Sequence, residues 1–303
     1  MDDHPCQAGD TGAMAGPPRP GSVRHMPELG CHLCLGTLWE RDAAHSGPGP
    51  DDPGLWEHLR RAGITGVQGG DPGLARAAGM AWTSLACVAR PEEVRAVLAR
   101  EADRGARIVT LHAGTGLEDD DAALRLLTAV VDAADRLRIT AAVETHRATI
   151  TQDMARTVGF VRRLPELRFT ADLSHWYCGQ EMVYGDFAGK LAFIAPVLER
   201  VRLIHARIAE PGCIQSPEVA DPALPHVAHF LEMWRRIFTA FRRSAGSAEV
   251  LPFAPELLPA RISYARTVTV DGRRIEAHDR WADALVLIDH ARRLWRETHP
   301  ETA

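Results

Sequence analysis

The chain has 303 residues, 46% of them apolar, and a formal net charge of −5 from 40 acidic and 35 basic side chains. That apolar share can fill one large core, whereas the acidic balance gives no general attraction for nucleic acid or an anionic membrane. No apolar run approaches the roughly 18 residues of a membrane span, and no basic-then-apolar signal pattern opens the chain, so a cytoplasmic location is expected.

Met1–Met26 is rich in Gly, Pro, Asp and Ala, with PPRPG at Pro17–Gly21. Residues 1–27 are therefore expected to be a flexible leader that the fold does not need, and residues 28–303 a single domain. The six cysteines (Cys6, Cys31, Cys34, Cys87, Cys178, Cys213) are scattered. Cys31 and Cys34 have CxxC spacing, but no second pair follows, and strand alternation would place them on opposite faces. Reduced, buried thiols are the better reading.

From about residue 28, short apolar runs alternate with longer amphipathic ones. Strands are expected at His32–Thr37, Ile64–Gln68, Trp82–Val88, Arg107–His112, Ile139–Glu144, Arg168–Asp172, Val201–His205 and Val250–Glu256. Helices are expected near 53–62, 72–79, 91–104, 119–137, 151–164, 186–200, 226–244 and 279–297. Pro91-Glu92-Glu93 puts proline and acids in a first turn, and Asp119–Asp121 opens a helix carrying Leu124, Leu127, Val131 and Ala134 at helical spacing. Gly63, Gly79 and Gly105 fall just past helices, where a left-handed residue is wanted. Eight strand–helix repeats point to a (β/α)8 TIM barrel, with an open doubly wound sheet as the structural alternative.

Two connections exceed ordinary loop length, 38–52 after the first strand and 208–225 after the seventh. Both belong at the mouth formed by the strand C-termini, where long structured loops shape pockets or lids. A third insertion, 257–278, contains Val268–Ile275, which reads as a hairpin turning at Asp271-Gly272.

Glu144, Asp172, His205 and Glu256 each sit where an apolar strand-like run ends. In a parallel barrel these positions face one mouth. A lone strand-end glutamate more often caps a helix or pairs with an arginine. Four such residues on four consecutive strands instead crowd three carboxylates together, which argues for a bound cation. Oxygen ligands with one imidazole suit Mn2+, Mg2+ or Co2+, and Zn2+ can also be accommodated.

Alternation brings further residues to the same mouth: His146 shares a side with Glu144, with Arg147 just beyond, and Arg207 shares a side with His205. His175, three residues past Asp172, and His112, at the end of the fourth strand, face it too. These five are the expected substrate contacts. Trp39, Trp176 and Tyr177 lie near strand ends, where they would either stack on a sugar ring or simply pack.

The segments VETHRATITQD, FTADLSHW, LIHARIAEPGCIQ and PFAPE resemble those of the xylose-isomerase-like barrels that include sugar phosphate isomerases and epimerases, over roughly residues 30–300. The resemblance implies that Glu144, Asp172, His205 and Glu256 hold one divalent metal. It further implies that Glu144 and Glu256 remove and return a proton on opposite faces of the substrate, and that His175 touches a substrate oxygen. Two features depart from the pattern. Gln68 stands where many relatives carry Glu, and PELLPARISY replaces a glycine-rich turn. They bear on the substrate more than on the metal.

The proton alpha to a carbonyl is too weakly acidic for an unaided carboxylate, and a metal holding the substrate oxygens offsets this by several kcal/mol. The expected activity is a metal-dependent sugar or cyclitol isomerase/epimerase working by proton transfer through a metal-bound enediolate, with Glu144 and Glu256 as catalytic residues. A dehydratase of the inosose type on the same metal site is the alternative. An apurinic-site endonuclease is a weaker one, because the third strand ends in SLACV without a histidine and no Asp-x-His follows His205. The expected partner is a small polyol or keto-sugar, with no nucleic acid or membrane, and a homo-oligomer is compatible with the sequence.

Overall fold

The computed structural model describes residues 26–40, 45–246 and 248–298. The expected leader falls almost wholly outside them. Within the described residues, eight parallel strands close into a barrel in sequential order: β1 Glu28–Cys34, β2 Gly66–Gln68, β3 Ala81–Val88, β4 Ile108–Ala113, β5 Thr140–Glu144, β6 Arg168–Ala171, β7 Val201–Ala206 and β8 Val250–Pro255. Closure is made by β1 against β8, in the register Glu28↔Val250 to Cys31↔Phe253. The chain is thus a (β/α)8 barrel.

Helices cover the outside: α1 Leu55–Arg61, α2 Pro72–Ala77, α3 Pro91–Asp103, α4 Asp120–Leu137, α5 Met154–Arg163, α6 Ser174–Gly179, α7 Phe187–Phe193, α8 Ala195–Leu198, α9 Pro225–Ser244 and α10 Arg280–Glu297. Their starts follow local chemistry. Asp119, Asp153 and Asp279 each accept backbone N–H bonds at a helix N-terminus, as in Asp119 Oδ1 with Ala122 at 2.7 Å, satisfying donors the helix leaves free. The three glycines expected to end helices adopt positive φ, as at Gly105 (98°).

Three expectations need correction. The first strand begins and ends earlier than His32–Thr37, because Glu28–Cys31 pairs with β8 and Leu35–Leu38 winds into a 3-10 turn. The helix expected over 186–200 is broken into α7 and α8, with Pro196 in the first turn of the second piece, where its missing N–H costs nothing. Helix α6 is not among the expected helices, since six residues are too few to show a helical period. The hairpin appears as the antiparallel pair Thr267–Val270 and Arg273–Glu276, with Asp271 and Gly272 both at positive φ (49° and 75°) as a tight two-residue turn demands.

At the N-terminal end of the barrel, His32 is 3% exposed. Burial pushes its imidazole down to about pKa 4, so it packs there as a neutral ring. Its neighbour across the β1–β2 ladder is Gly66, where an added methyl would run into the His32 ring. Gly66→Ala should therefore lower stability by about 1–3 kcal/mol through overpacking, measured as a shift of the urea midpoint at unchanged slope. An unshifted midpoint would show that the ring has room to move.

Candidate metal centre and active site

The four strand-end residues meet. One ligand atom from each of Glu144, Asp172, His205 and Glu256 lies within 4.8 Å of all the others, and all four side chains are buried. His205 Nδ1 stands 3.4 Å from Glu144 Oε2 and 3.6 Å from Glu256 Oε2.

Each side chain is aimed by a second group. His205 Nε2–H donates to Gln68 Oε1 at 2.7 Å, while the Gln68 amide donates to Thr110 Oγ1 at 3.1 Å, and Thr110 bonds Thr170 at 2.9 Å. With Nε2 occupied, the other ring nitrogen is the one presented to the carboxylates, which is how a ligating histidine is normally held. Asp172 Oδ1 accepts from the Ser174 backbone N–H at 3.0 Å and from the Ser174 hydroxyl. Its Oδ2 is left facing the centre.

His205 Nδ1 and Asp172 Oδ2 are buried without a hydrogen-bond partner in the structure. Buried polar atoms are rarely left so. An imidazole lone pair and three carboxylates converging on one point, with two of their atoms unpartnered, are the donor set of a hard divalent cation. The residues present fit a metal.

Arg207 adds charge to the same place. Its Nη2 lies 2.5 Å from Glu256 Oε2 and 3.6 Å from Asp172 Oδ2, while its Nε donates to the Glu256 carbonyl at 2.9 Å. The guanidinium carbon sits 4.4 Å from the centre of the Tyr264 ring, and Arg147 approaches the same ring at 5.4 Å, both within cation–π range. Of the expected substrate contacts, Arg207 is thus a buried partner of Glu256, and Arg147 sits further out.

The three histidines adjoin one another as tilted rings. The His146 ring centre lies 4.5 Å from that of His112 and 4.0 Å from that of His175. His112 Nε2 bonds Glu144 Oε2 at 2.9 Å. His175, in the first turn of α6, places Nε2 3.4 Å from Asp172 Oδ2, and neither of its ring nitrogens has a hydrogen-bond partner.

The electrostatics divide these groups. Burial would raise the Glu144 carboxyl, but His205 and His112 hold it well below the usual range. Asp172 is likewise held down, by Arg207 and His175 against its burial. For Glu256 burial prevails, aided by the two other carboxylates and opposed by His205 and Arg207, and its pKa rises. Burial drives His175 down to about 3, making it a neutral imidazole at pH 7. His205 goes the other way: Glu256 and Glu144 overcome its burial and raise it to about 9.

Some residues at the centre lacked a readable signal. Gln68 stood out only as a departure from a motif, and Thr110 and Thr170 not at all. Tyr264 lies in an irregular insertion, and Cys34, whose Sγ is 3.8 Å from Glu256 Oε1, entered only as half of a CxxC spacing. Cys31 and Cys34 do point apart, Cys31 toward Arg292 and Cys34 toward Glu256, but among the described cysteines only Cys31 is buried, and Cys87 is exposed. Trp176 and Tyr177 are fully buried, with Trp176 Nε1 bonded to the Thr151 carbonyl at 2.8 Å and the Tyr177 hydroxyl to His229 at 2.9 Å. They are packing residues and stack on no ligand. Trp39 stays exposed at the mouth.

Two outcomes follow from this wiring. His205 bears a folded-state pKa above its ordinary 6.5, so its charged form stabilises the protein below that value and the contribution is lost as pH rises through about 9. In chelator-treated protein the melting temperature should fall between pH 7 and 9.5, and saturation with Mn2+ should flatten the slope. A flat profile in chelator would refute the His205 assignment. Gln68→Leu removes the acceptor that aims His205, so metal affinity, measured by competition with a chromophoric chelator, should drop about 10–100-fold with the fold retained. Unchanged affinity would mean that packing alone orients the ring.

No protein-family model and no curated protein matches the sequence. Solved structures do. A sugar phosphate isomerase/epimerase from Parabacteroides distasonis is 12% identical and aligns over 90% of this chain and 97% of its own, with a TM-score of 0.54. A xylose isomerase-like TIM barrel protein from Mycobacterium smegmatis, in complex with magnesium, is also 12% identical and aligns over 92% and 98%, with a TM-score of 0.50. No helix among the described residues is long and apolar enough to cross a membrane. Barrel closure, strand order and these likenesses together show that the chain has the (β/α)8 TIM barrel fold.

Proposed function

We propose that this chain is a metal-dependent isomerase or epimerase that removes and returns a carbon-bound proton on a polyol or keto-sugar. The observation that carries the reading is the convergence of Glu144, Asp172, His205 and Glu256, with His205 Nδ1 and Asp172 Oδ2 unpartnered at its centre. The magnesium complex and the isomerase/epimerase among the solved barrels of the same fold agree with it.

Glu144, Asp172, His205 and Glu256 would hold the cation, with Mn2+, Mg2+ and Co2+ suited to an oxygen-rich set. When bound, it supplies Lewis-acid stabilisation of the negative charge that grows on a substrate oxygen as the proton leaves carbon, worth several kcal/mol.

The protein's own groups do the rest. Glu144, kept ionised by its histidine neighbours, accepts the proton at a carboxylate oxygen, and Glu256, whose pKa is raised, returns one. Two carboxylates with separated pKa values form a workable base–acid pair. They come from β5 and β8, on different sides of the barrel mouth, so each can address a different face of the substrate. Neutral His175, whose ring nitrogens make no hydrogen bond in the structure, offers a donor to a substrate hydroxyl, and His112 steadies Glu144. Arg207 holds Glu256 in place and limits the negative charge of the pocket.

Loss of a beta hydroxyl after the same proton abstraction would make the enzyme a dehydratase, and the substrate decides between the two outcomes. Nuclease chemistry has less support, since β3 ends at Cys87 and Val88 and brings no imidazole to the mouth.

Purified protein should carry one divalent metal per chain by elemental analysis, and Glu256→Gln should lose much of it. At free metal about 100 times the dissociation constant, binding stabilises the native state by roughly 2.7 kcal/mol, so chelator should lower the melting temperature. In D2O the enzyme should wash deuterium into a cognate ketose or cyclitol ketone. Glu144→Gln or Glu256→Gln should slow that exchange by about 10²–10⁴-fold. Exchange that survives either substitution, or full metal retention in Glu256→Gln, would sink the proposal.

A further inference from the structure

Beside the carboxylates, the mouth opens into a cavity of about 630 Å3 with Glu256 in its wall. This lies within the size range of small-molecule sites, roughly 300–1,000 Å3. Its lining is dominated by Leu35, Leu38, Trp39, Trp56, Leu74 and Leu85. Trp39, Leu74 and Leu85 are three of the eleven exposed large apolar side chains among the described residues, at 48%, 58% and 38% exposure. Scattered exposed apolar residues are ordinary, but a group of them rimming one cavity marks a place where something apolar binds.

Several polar groups of the same wall are already committed. Gln68 spends its carbonyl on His205 and its amide on Thr110. Asp71 Oδ1 accepts the N–H groups of Gly73 and Leu74 at 2.6 and 3.1 Å, and Asp52 Oδ1 accepts that of Gly54 at 2.7 Å. The Gly69 N–H donates to the Thr83 carbonyl at 3.2 Å, and its own carbonyl accepts from Trp82 Nε1 at 2.9 Å. A bare sugar seated here would set hydroxyls against leucine and tryptophan side chains, which is costly. An aromatic ring would meet hydrocarbon and two indoles. Beside Glu144 and Asp172, the adjoining His112, His146 and His175 offer the polar contacts that a hydroxylated head requires.

We propose that the substrate of this centre is two-sided: a polyol or ketose head at the carboxylates, carrying an aryl group that fills the cavity against Trp39, Trp56, Leu74 and Leu85. The head assignment rests on the proton-transfer reading above, whereas the aryl assignment rests on the cavity.

The test pairs phenyl with methyl glycosides of glucose, galactose and xylose, titrated calorimetrically into the full-length protein in Mg2+. At least one phenyl glycoside should bind tenfold or more tightly than its methyl partner. Leu74→Asp and Leu85→Asp alter exposed side chains, so melting temperature and metal content should hold while the preference disappears. Equal affinities within every pair, binding by none, or a preference that survives both substitutions would overturn the proposal. Deuterium exchange scored in parallel on ketoses and cyclitol ketones, which unlike the glycosides carry a proton alpha to a carbonyl, separates the two readings. Aryl preference without exchange upholds the cavity and removes the proton-transfer chemistry, and exchange without aryl preference does the reverse.

Discussion

Three carboxylates are held within a few ångströms of one another in the interior of this barrel. Like charges at about 4 Å and an effective dielectric of about 20 repel by about 4 kcal/mol per pair. The surrounding structure is arranged around that repulsion. Arg207 is buried against Glu256 and near Asp172, His112 bonds Glu144, and His205 sits between Glu144 and Glu256 with its pKa raised to about 9. A proton on His205 and a divalent cation at its Nδ1 are alternative answers to the same excess of negative charge. Binding of one therefore displaces the other.

Keeping such a site intact depends on rigid support from the barrel itself. Gln68, Thr110 and Thr170, from β2, β4 and β6, form one hydrogen-bonded chain across the interior and end on His205. Above the barrel, Arg280 ties the loops together. Its guanidinium donates to the carbonyls of Thr37, Trp39 and Glu40 after β1 and of Leu257 after β8, and to the Glu276 carboxylate. The Thr37 hydroxyl donates to the Pro255 carbonyl at 3.2 Å and accepts the Leu257 N–H at 3.1 Å. The two loops beside the apolar cavity are thereby fixed to the strand that presents Glu256, so cavity shape and carboxylate position are mechanically linked.

The mouth is chemically lopsided. One side carries three adjoining imidazoles and two arginines sharing the Tyr264 ring, and the other carries leucine and tryptophan. Such a division would orient a two-sided ligand before any reaction began, because only one placement satisfies both its polar and its apolar parts.

The sequence alone determined the barrel and the four converging residues. Strand runs alternate with amphipathic helices, and a parallel barrel sends every strand C-terminus to one mouth, so Glu144, Asp172, His205 and Glu256 could be grouped without coordinates. Local chemistry likewise marked the aspartate caps, the glycines past helix ends and the Asp271-Gly272 hairpin turn. Only the tertiary structure decided the rest, because those features depend on which residues meet across large separations in the chain. The start of β1 is set by pairing with β8, more than 200 residues away. Trp176 and Tyr177 are turned into the core by partners at Thr151 and His229. Gln68 acquires its role from His205, 137 positions later, and Tyr264 from two arginines on other loops. The cavity wall is assembled from the ends of β1, β2, β3 and β8, and its apolar character exists only once they are brought side by side.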